Sequence, residues 1–212
     1  MAISKVILGD CIEVMKGFED NQFDLAVVDP PYGIDINMNM GRKGGKRKMH
    51  TDKDWDTGIP SEAYFSQLRR VSANVVIWGG NYFTAYLEPT GSWIFWDKGV
   101  PDGVDFADGE LAWTSFGGTL KKAKVKYTGF QGMDLGGKIH PTQKPVKLYD
   151  WILKTYATEG MKIPDTHLGS GSSRIAADKV GLDFTGIEID PEYFAASCKR
   201  FDNYKLQLNL FP

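Results

Sequence analysis

The 212-residue sequence predicts a single α/β domain, residues 1–212, built on a mostly parallel sheet, and three observations carry that expectation. Apolar runs of strand length alternate with amphipathic helical stretches toward both ends of the chain. The runs Leu25–Val28 and Asn74–Trp78 are nearly continuous rather than alternating, the pattern of strands covered on both faces. Finally, Asp29, Asp165 and Glu188 each stand at the end of such a run, where an open parallel sheet meets its ligands.

In chain order, Lys5–Leu8 reads as a short strand, Asp10 as the N-cap of a helix Cys11–Lys16, and a second strand leads to Asp29. Residues 33–60 lack apolar periodicity and hold a cationic run, so they are expected to form a basic mobile loop. Ser61 is placed to cap a helix reaching about Val71, with Tyr64, Phe65 and Leu68 on one face, before the strand Asn74–Trp78. From Gly79 to Gly137 the pattern turns antiparallel, with strands at Trp93–Trp96 and Glu110–Trp113 and alternation over Lys124–Tyr127. An amphipathic helix then runs to Glu159 and is closed by Gly160. Strand Met161–Asp165, a tight loop at Gly169–Gly171, helix Ser172–Val180 and strand Phe184–Glu188 follow, and Asp190-Pro191 opens the last helix. Pro164 falls in a strand expected to be central and cannot donate to a ladder, which predicts an irregularity there.

Composition narrows the function classes. A hydrophobic content of 42% with 25% charged residues is that of a soluble globular domain. No apolar run approaches membrane-spanning length and the N-terminus shows no signal-peptide core, so a cytoplasmic protein with no membrane partner is expected, as monomer or homodimer. Cys11 and Cys198 lie far apart without CxxC or histidine spacing, which indicates neither a disulfide framework nor a metal site. The net charge of −2 excludes a uniformly basic protein, but positive charge is concentrated. Arg42, Lys43, Lys46, Arg47 and Lys48 form one candidate phosphate-contacting patch, and Lys121, Lys122, Lys124 and Lys126 a second.

Two stretches carry chemistry. In Asp29-Pro30-Pro31-Tyr32 the fixed prolines hold the Pro30 carbonyl near the Asp29 carboxylate with no local donor to neutralise either, leaving two acceptors facing outward beside an aromatic ring. The unit from Asp165 through Gly169-Ser170-Gly171 to Glu188 suits an adenosine-like ligand, because the glycines admit close backbone approach and Glu188 can accept from ribose hydroxyls. Arg174 at the third position of the glycine pattern disfavours a dinucleotide, and no Gly-Lys-Ser or Gly-Lys-Thr follows, so the unit is not a P-loop.

Five blocks in this order resemble the permuted β class of DNA amino-methyltransferases, the adenine-N6 and cytosine-N4 enzymes. They are Gly9-Asp10-Cys11, Asp29-Pro30-Pro31-Tyr32, His140-Pro141-Thr142-Gln143-Lys144-Pro145, Asp165 through Ser172, and Gly186-Ile187-Glu188-Ile189-Asp190 with Tyr193. The segments Trp78–Phe83, Trp96–Lys98 and Glu110–Thr114 also look like those of small phage or prophage adenine methylases. The resemblance implies a Rossmann-like methyltransferase fold with a mostly parallel seven-stranded sheet, one antiparallel strand and a circularly permuted motif order. It implies S-adenosylmethionine (SAM) as cofactor, held by Asp10, Cys11, Asp29, Lys144, Asp165, His167, Gly169, Ser170, Gly171, Glu188 and Ile189. Thr166 and His167 depart from the family's usual proline and phenylalanine, and a packed neutral imidazole is expected at His167.

The implied reaction is methyl transfer to an exocyclic base amine of DNA, with Asp29, Pro30, Pro31 and Tyr32 as the catalytic segment. Accepting both amine hydrogens would direct the nitrogen lone pair outward. The base must first be flipped from the duplex, and Tyr32 can stack on it. Asp at the first position leans toward adenine-N6, with cytosine-N4 the close alternative; a protein glutamine methyltransferase and a non-catalytic nucleic-acid-binding protein rank lower. Residues 99–137 are expected to serve as a small target-recognition insertion.

Overall fold

The computed structural model describes residues 2–34, 58–103, 107–127, 134 and 137–210, and its elements follow the predicted alternation. The order is β1 (Ser4–Leu8), α1 (Cys11–Lys16), β2 (Phe23–Val28), α2 (Glu62–Val71), β3 (Ser72–Trp78), a 3-10 turn (Gly80–Tyr82), β4 (Trp93–Asp97), β5 (Gly109–Thr114), β6 (Lys121–Lys124), α3 (Val146–Tyr156), β7 (Lys162–Asp165), α4 (Ser172–Lys179), β8 (Asp183–Glu188) and α5 (Pro191–Leu210). Asp10 caps α1 as expected, its Oδ1 accepting from the Ile12 and Glu13 amides. Asp190 does the same for the Glu192 and Tyr193 amides, with Pro191 in the first helical position.

Sheet organisation departs from the expected seven-stranded sheet. The described residues form eight strands in two hydrogen-bonded sheets, ordered β1-β8-β7 and β2-β3-β5-β4-β6. Every pairing is parallel except those of β5, which runs antiparallel to both β3 and β4. Strand β2 lies beside β7, and the seam between the two sheets has a local cause. The Lys162 amide donates to the Asp24 carboxylate at 2.8 Å instead of to a β2 carbonyl. Two residues on, facing the same side, Pro164 has no N–H to offer. On its other edge β7 keeps an unbroken parallel register with β8, Pro164 opposite Thr185. The irregularity predicted at Pro164 therefore opens a seam on one side and leaves the strand itself regular.

Two boundaries also move, and one expected cap bond is not made. Helix α3 ends at Tyr156, because Ala157 turns extended while its amide closes on the Leu153 carbonyl; Gly160, with φ of 81°, belongs to the turn before β7. The strand expected over Lys124–Tyr127 lies at Lys121–Lys124, although the Val125 and Tyr127 amides still reach the Asp97 and Lys98 carbonyls. Ser61 occupies the N-cap of α2 without a side-chain cap bond. Residues 99–137, read as an insertion, supply β5 and β6 to the five-stranded sheet.

Two apolar cores sandwich the strands. Alternation along β2 sends Leu25 and Val27 to one face with Leu148, Ile152, Ile175 and Phe201. Ala26 and Val28 go to the other with Met15, Tyr64, Phe65 and Leu68. On the second face Arg70 of α2 ties α1 down, its guanidinium donating to the Met15 and Phe18 carbonyls at 2.7 and 2.8 Å and to Asp20 at 2.7 Å. Arg70→Met keeps the apolar stem and removes these donors, so we expect a loss of about 1–3 kcal/mol in urea denaturation, measured as a lower midpoint at unchanged slope.

Candidate active site

Parallel strands bring distant acidic residues to one rim. Leu8 pairs with Glu188, and the Gly9 amide donates to the Glu188 carbonyl at 2.9 Å, so Asp10 emerges beside Glu188. Strand β7 ends at Asp165 next to β8, and β2 ends immediately before Asp29. A cavity of about 490 Å³ opens along these strand ends, lined by Asp10, Cys11, Asp29, Pro30, Pro31, Tyr32, Lys144, His167, Gly169, Ser170, Glu188 and Ile189 among others. Of the residues expected to hold a cofactor, Asp165 and Gly171 do not line it.

The half of the cavity nearest α4 is organised by backbone donors. Glu188 accepts from the Gly169 amide at 2.7 Å and the Asp190 amide at 2.9 Å, which fixes its carboxylate at the cavity wall, and burial pushes its pKa up. Gly169 and Gly171 have φ of 50° and 72°, the left-handed conformation that this tight turn requires. Asp165 is buried beneath the loop, where it accepts from Ser173 Oγ at 2.5 Å and the His167 amide at 3.0 Å. Burial pushes its carboxyl up to about 7, and its two bonds tie the loop to the end of β7. Arg174 turns away from the loop, its guanidinium 3.8 Å over the Phe201 ring and its Nε bonded to Ser4, so it does not obstruct the cavity. Arg200 of α5 clamps the loop from behind, donating to the Ser170 carbonyl, Ser172 Oγ and Asp134, and Asp134 in turn accepts the first amide of α3.

His167 sits in a buried polar chain with Tyr64 and Thr166. Tyr64 Oη is 2.8 Å from Thr166 Oγ1, which is 3.0 Å from His167 Nδ1, and His167 Nε2 is 4.0 Å from Cys11 Sγ. Burial lowers the imidazole pKa to about 4 and raises the Cys11 thiol to about 12, so both groups are neutral at pH 7.

The half nearest β2 differs from the sequence expectation in one respect that matters. Asp29 does not lack donors: Tyr32 Oη donates to its Oδ1 at 2.7 Å and Lys144 Nζ lies 2.5 Å from its Oδ2. Lys144, expected at the cofactor, lines the cavity and is a buried counter-ion, 4% exposed, also 3.2 Å from Glu110 Oε2 and 3.0 Å from Tyr32 Oη. Lys98 completes the cluster at 2.6 Å from Glu110 Oε1. Burial opposes the Lys144 charge, but Asp29 and Glu110 outweigh it and hold its pKa above the ordinary value. Burial raises the Asp29 pKa against the pull of Lys144, and Glu110 adds to the rise. In Glu110 burial is overcome by Lys144 and Lys98, which hold its carboxyl down to about 2. Tyr32 packs its ring on Tyr82, centroids 5.1 Å apart and planes nearly parallel. Any side chain at Gly79 would collide with that ring, its Cβ falling 2.2 Å from Tyr32 Cε1.

Glu110 and Lys98 were not assigned roles from sequence, and for Glu110 the reason is strand direction. Parallel strands present their last residues at this rim, but antiparallel β5 presents its first, so Glu110 arrives from the beginning of a strand. The basic residues are distributed differently. Arg42, Lys43, Lys46, Arg47 and Lys48 lie outside the described residues. Lys121, Lys122 and Lys124 lie on β6, separated from β2 by three strands, and Lys122 is paired with Asp97 at 2.7 Å. The far end of this patch, Lys124 to Lys126, follows the end of β4, where the Tyr127 amide donates to the Lys98 carbonyl. Among the described residues no cluster of His, Cys, Asp and Glu is placed to hold a metal ion, and no helix is long and apolar enough to cross a membrane.

A model of the N6/N4 DNA methylase family matches residues 77–199, more than half of the chain. The chain belongs to this family. The matched span holds Glu110, Lys144, the glycine loop and Glu188, whereas Asp10 and Asp29–Tyr32 precede it. The methylase fold extends over the whole domain. The solved M1.HpyAVI–SAM complex aligns with a TM-score of 0.60 at 18% identity, covering 93% of this chain and 98% of that one. The PvuII DNA methyltransferase, cytosine-N4-specific, gives 0.60 at 16% identity over 94% and 87%. In sequence, YubD of Escherichia coli (strain K12) is 26% identical over 93% of this chain and 90% of its own length.

The half-buried His167 imidazole predicts acid sensitivity for this methylase. His167 is depressed from 6.5 to about 4, so the unfolded chain takes up a proton that the native one refuses as pH falls between those values. Stability contributed above pH 6.5 is lost on the way to pH 4, about 2 kcal/mol of it by pH 5 at 1.36 kcal/mol per unit. His167→Gln should show a correspondingly smaller drop between pH 7 and pH 5 in paired urea titrations.

Proposed function

We propose that the protein is a SAM-dependent DNA methyltransferase acting on the exocyclic N6 of a flipped adenine. The observation that carries the reading is one cavity shared by two halves: an anchored carboxylate and glycine loop at Glu188 and Gly169, and the Asp29–Tyr32 segment facing them. A nucleoside-like cofactor fits the first half. Glu188 retains acceptor capacity for ribose hydroxyls, Asp10 uses only Oδ1 in capping α1, and the cavity size suits a ligand of that class. Ile189, 63% exposed at the cavity edge, offers an apolar surface for a planar ring.

When bound, the cofactor supplies a methyl group activated on a sulfonium, which requires neither a metal nor a covalent enzyme intermediate. The protein's contribution is to the amine. Asp29 and the Pro30 carbonyl accept its two hydrogens, favour a pyramidal nitrogen and aim the lone pair at the methyl carbon. Transfer would leave the methylated amine one proton in excess, and Asp29, whose pKa burial raises, would accept that proton. Tyr32, backed by Tyr82, offers an aromatic wall for the flipped base. The 42–48 segment and the Lys121–Lys126 patch are proposed to contact phosphates, and loops of the 99–137 region to read the target.

An aspartate at position 29 favours adenine, and cytosine-N4 is the second reading because the fold is shared with a cytosine-N4-specific enzyme. Incubation of the protein with isotopically labelled SAM and unmethylated genomic DNA, followed by nucleoside mass spectrometry, separates the two. Label in N6-methyladenine is the expected outcome; label in N4-methylcytosine selects the second reading, and none in either rejects both. Asp29→Ala should slow single-turnover transfer roughly 100- to 1000-fold while calorimetric cofactor affinity is retained. Glu188→Ala should do the reverse at the first step, weakening cofactor binding roughly 10- to 100-fold.

A further inference from the structure

The cluster around Asp29 poses a difficulty that the proposed chemistry leaves open. Both Asp29 oxygens already hold protein donors, Tyr32 Oη on Oδ1 and Lys144 Nζ on Oδ2. A lysine ammonium on the acceptor weakens it for an incoming amine and repels the positive charge that the amine gains on methylation. Lys144 is too buried to release its charge to water, so its ammonium needs another carboxylate if Asp29 is to serve the base.

Glu110 meets that requirement for both donors. Its Oε2 is 3.2 Å from Lys144 Nζ and 3.4 Å from Tyr32 Oη, within reach of the same two groups that bind Asp29. Its other oxygen is fixed by Lys98 at 2.6 Å, and Lys98 lies 5.0 Å over the Trp96 ring, so the carboxylate is held in place from the rim side. Glu110 itself does not line the cavity and would touch neither base nor cofactor there. We infer that Glu110 is a positioning residue that takes Lys144 and the Tyr32 hydroxyl from Asp29 as the target amine arrives, leaving Asp29 free to accept from it. The inference rests on the amino-methyltransferase reading. Short shifts of two side chains suffice, and the Lys144 charge stays paired throughout.

The test compares wild type, Glu110→Gln and Glu110→Asp in single-turnover transfer from labelled SAM to DNA across a pH series, with calorimetric SAM affinity for each. Gln retains the shape and an acceptor oxygen but not the charge. We expect Glu110→Gln to slow transfer about 30-fold or more at unchanged SAM affinity, the lower end of the cost of losing a buried charged partner. Its acid limb should move to lower pH, because Glu110 is one of the charges that raise the Asp29 pKa. Glu110→Asp, which keeps the charge, should recover part of the rate. A wild-type rate in Glu110→Gln overturns the role, as does a slower rate with an unmoved acid limb, or a Glu110→Asp variant slower than Glu110→Gln. A wild-type protein that binds SAM but labels no DNA overturns the methyltransferase reading and the Glu110 role with it.

Discussion

Crowding of negative charge at one sheet rim is the constraint on which the site depends. Parallel strands β1, β8, β7 and β2 all end there, delivering Asp10, Glu188, Asp165 and Asp29. The domain copes with each carboxylate differently. Asp10 is spent partly on a helix N-terminus, Glu188 on two backbone amides, and Asp165 is pushed toward its neutral form. Only Asp29 is given a full opposing charge, Lys144, and that lysine is shared with Glu110. A buried ion pair of this kind contributes little net stability, because desolvation offsets most of the attraction. Its place at the Asp29–Tyr32 segment, in the wall of the cavity, therefore fits the proposed functional role better than a structural one.

The seam between β7 and β2 belongs to the same design. A continuous ladder would bond the two strands along their length, but the Asp24–Lys162 bond and Pro164 remove the donors that β7 would direct toward β2. The strand ends at Asp165 and Asp29 are consequently joined through side chains and the loops above them rather than by a backbone ladder. Arg200 stabilises the loop on one side of the seam by linking Ser170, Ser172 and Asp134, and Asp134 carries the link to α3, whose preceding residue pair contains Lys144. The glycine-loop half and the Asp29 half of the cavity are thus connected through α3 and α5.

Much of this was legible in the chain because its signals are local. The N-caps at Asp10 and Asp190, the apolar runs of β2 and β3, the glycines that take left-handed backbone and the Asp-Pro-Pro-Tyr turn each reside within a few residues. The ordered set of such blocks was enough to indicate an N6/N4 methylase, and the neutrality of His167 followed from the absence of ligand spacing. The α3 terminus and the shifted β6 were misplaced because single Gly and alternation signals mark turns and strands only to within a few residues.

What the sequence determined by itself is therefore the alternation of elements, the Asp-Pro-Pro-Tyr segment at the end of β2, and the glycine loop followed by a strand that ends in Glu188. Tertiary structure alone decided which partners those groups meet. The Lys144 to Asp29 contact spans more than a hundred residues, and Glu110 joins it only because β5 runs against its neighbours and presents its first residues at the rim. The sequence pattern indicated antiparallel pairing in this half, but which strands pair and which side chains they bring together depend on the packing of the whole sheet.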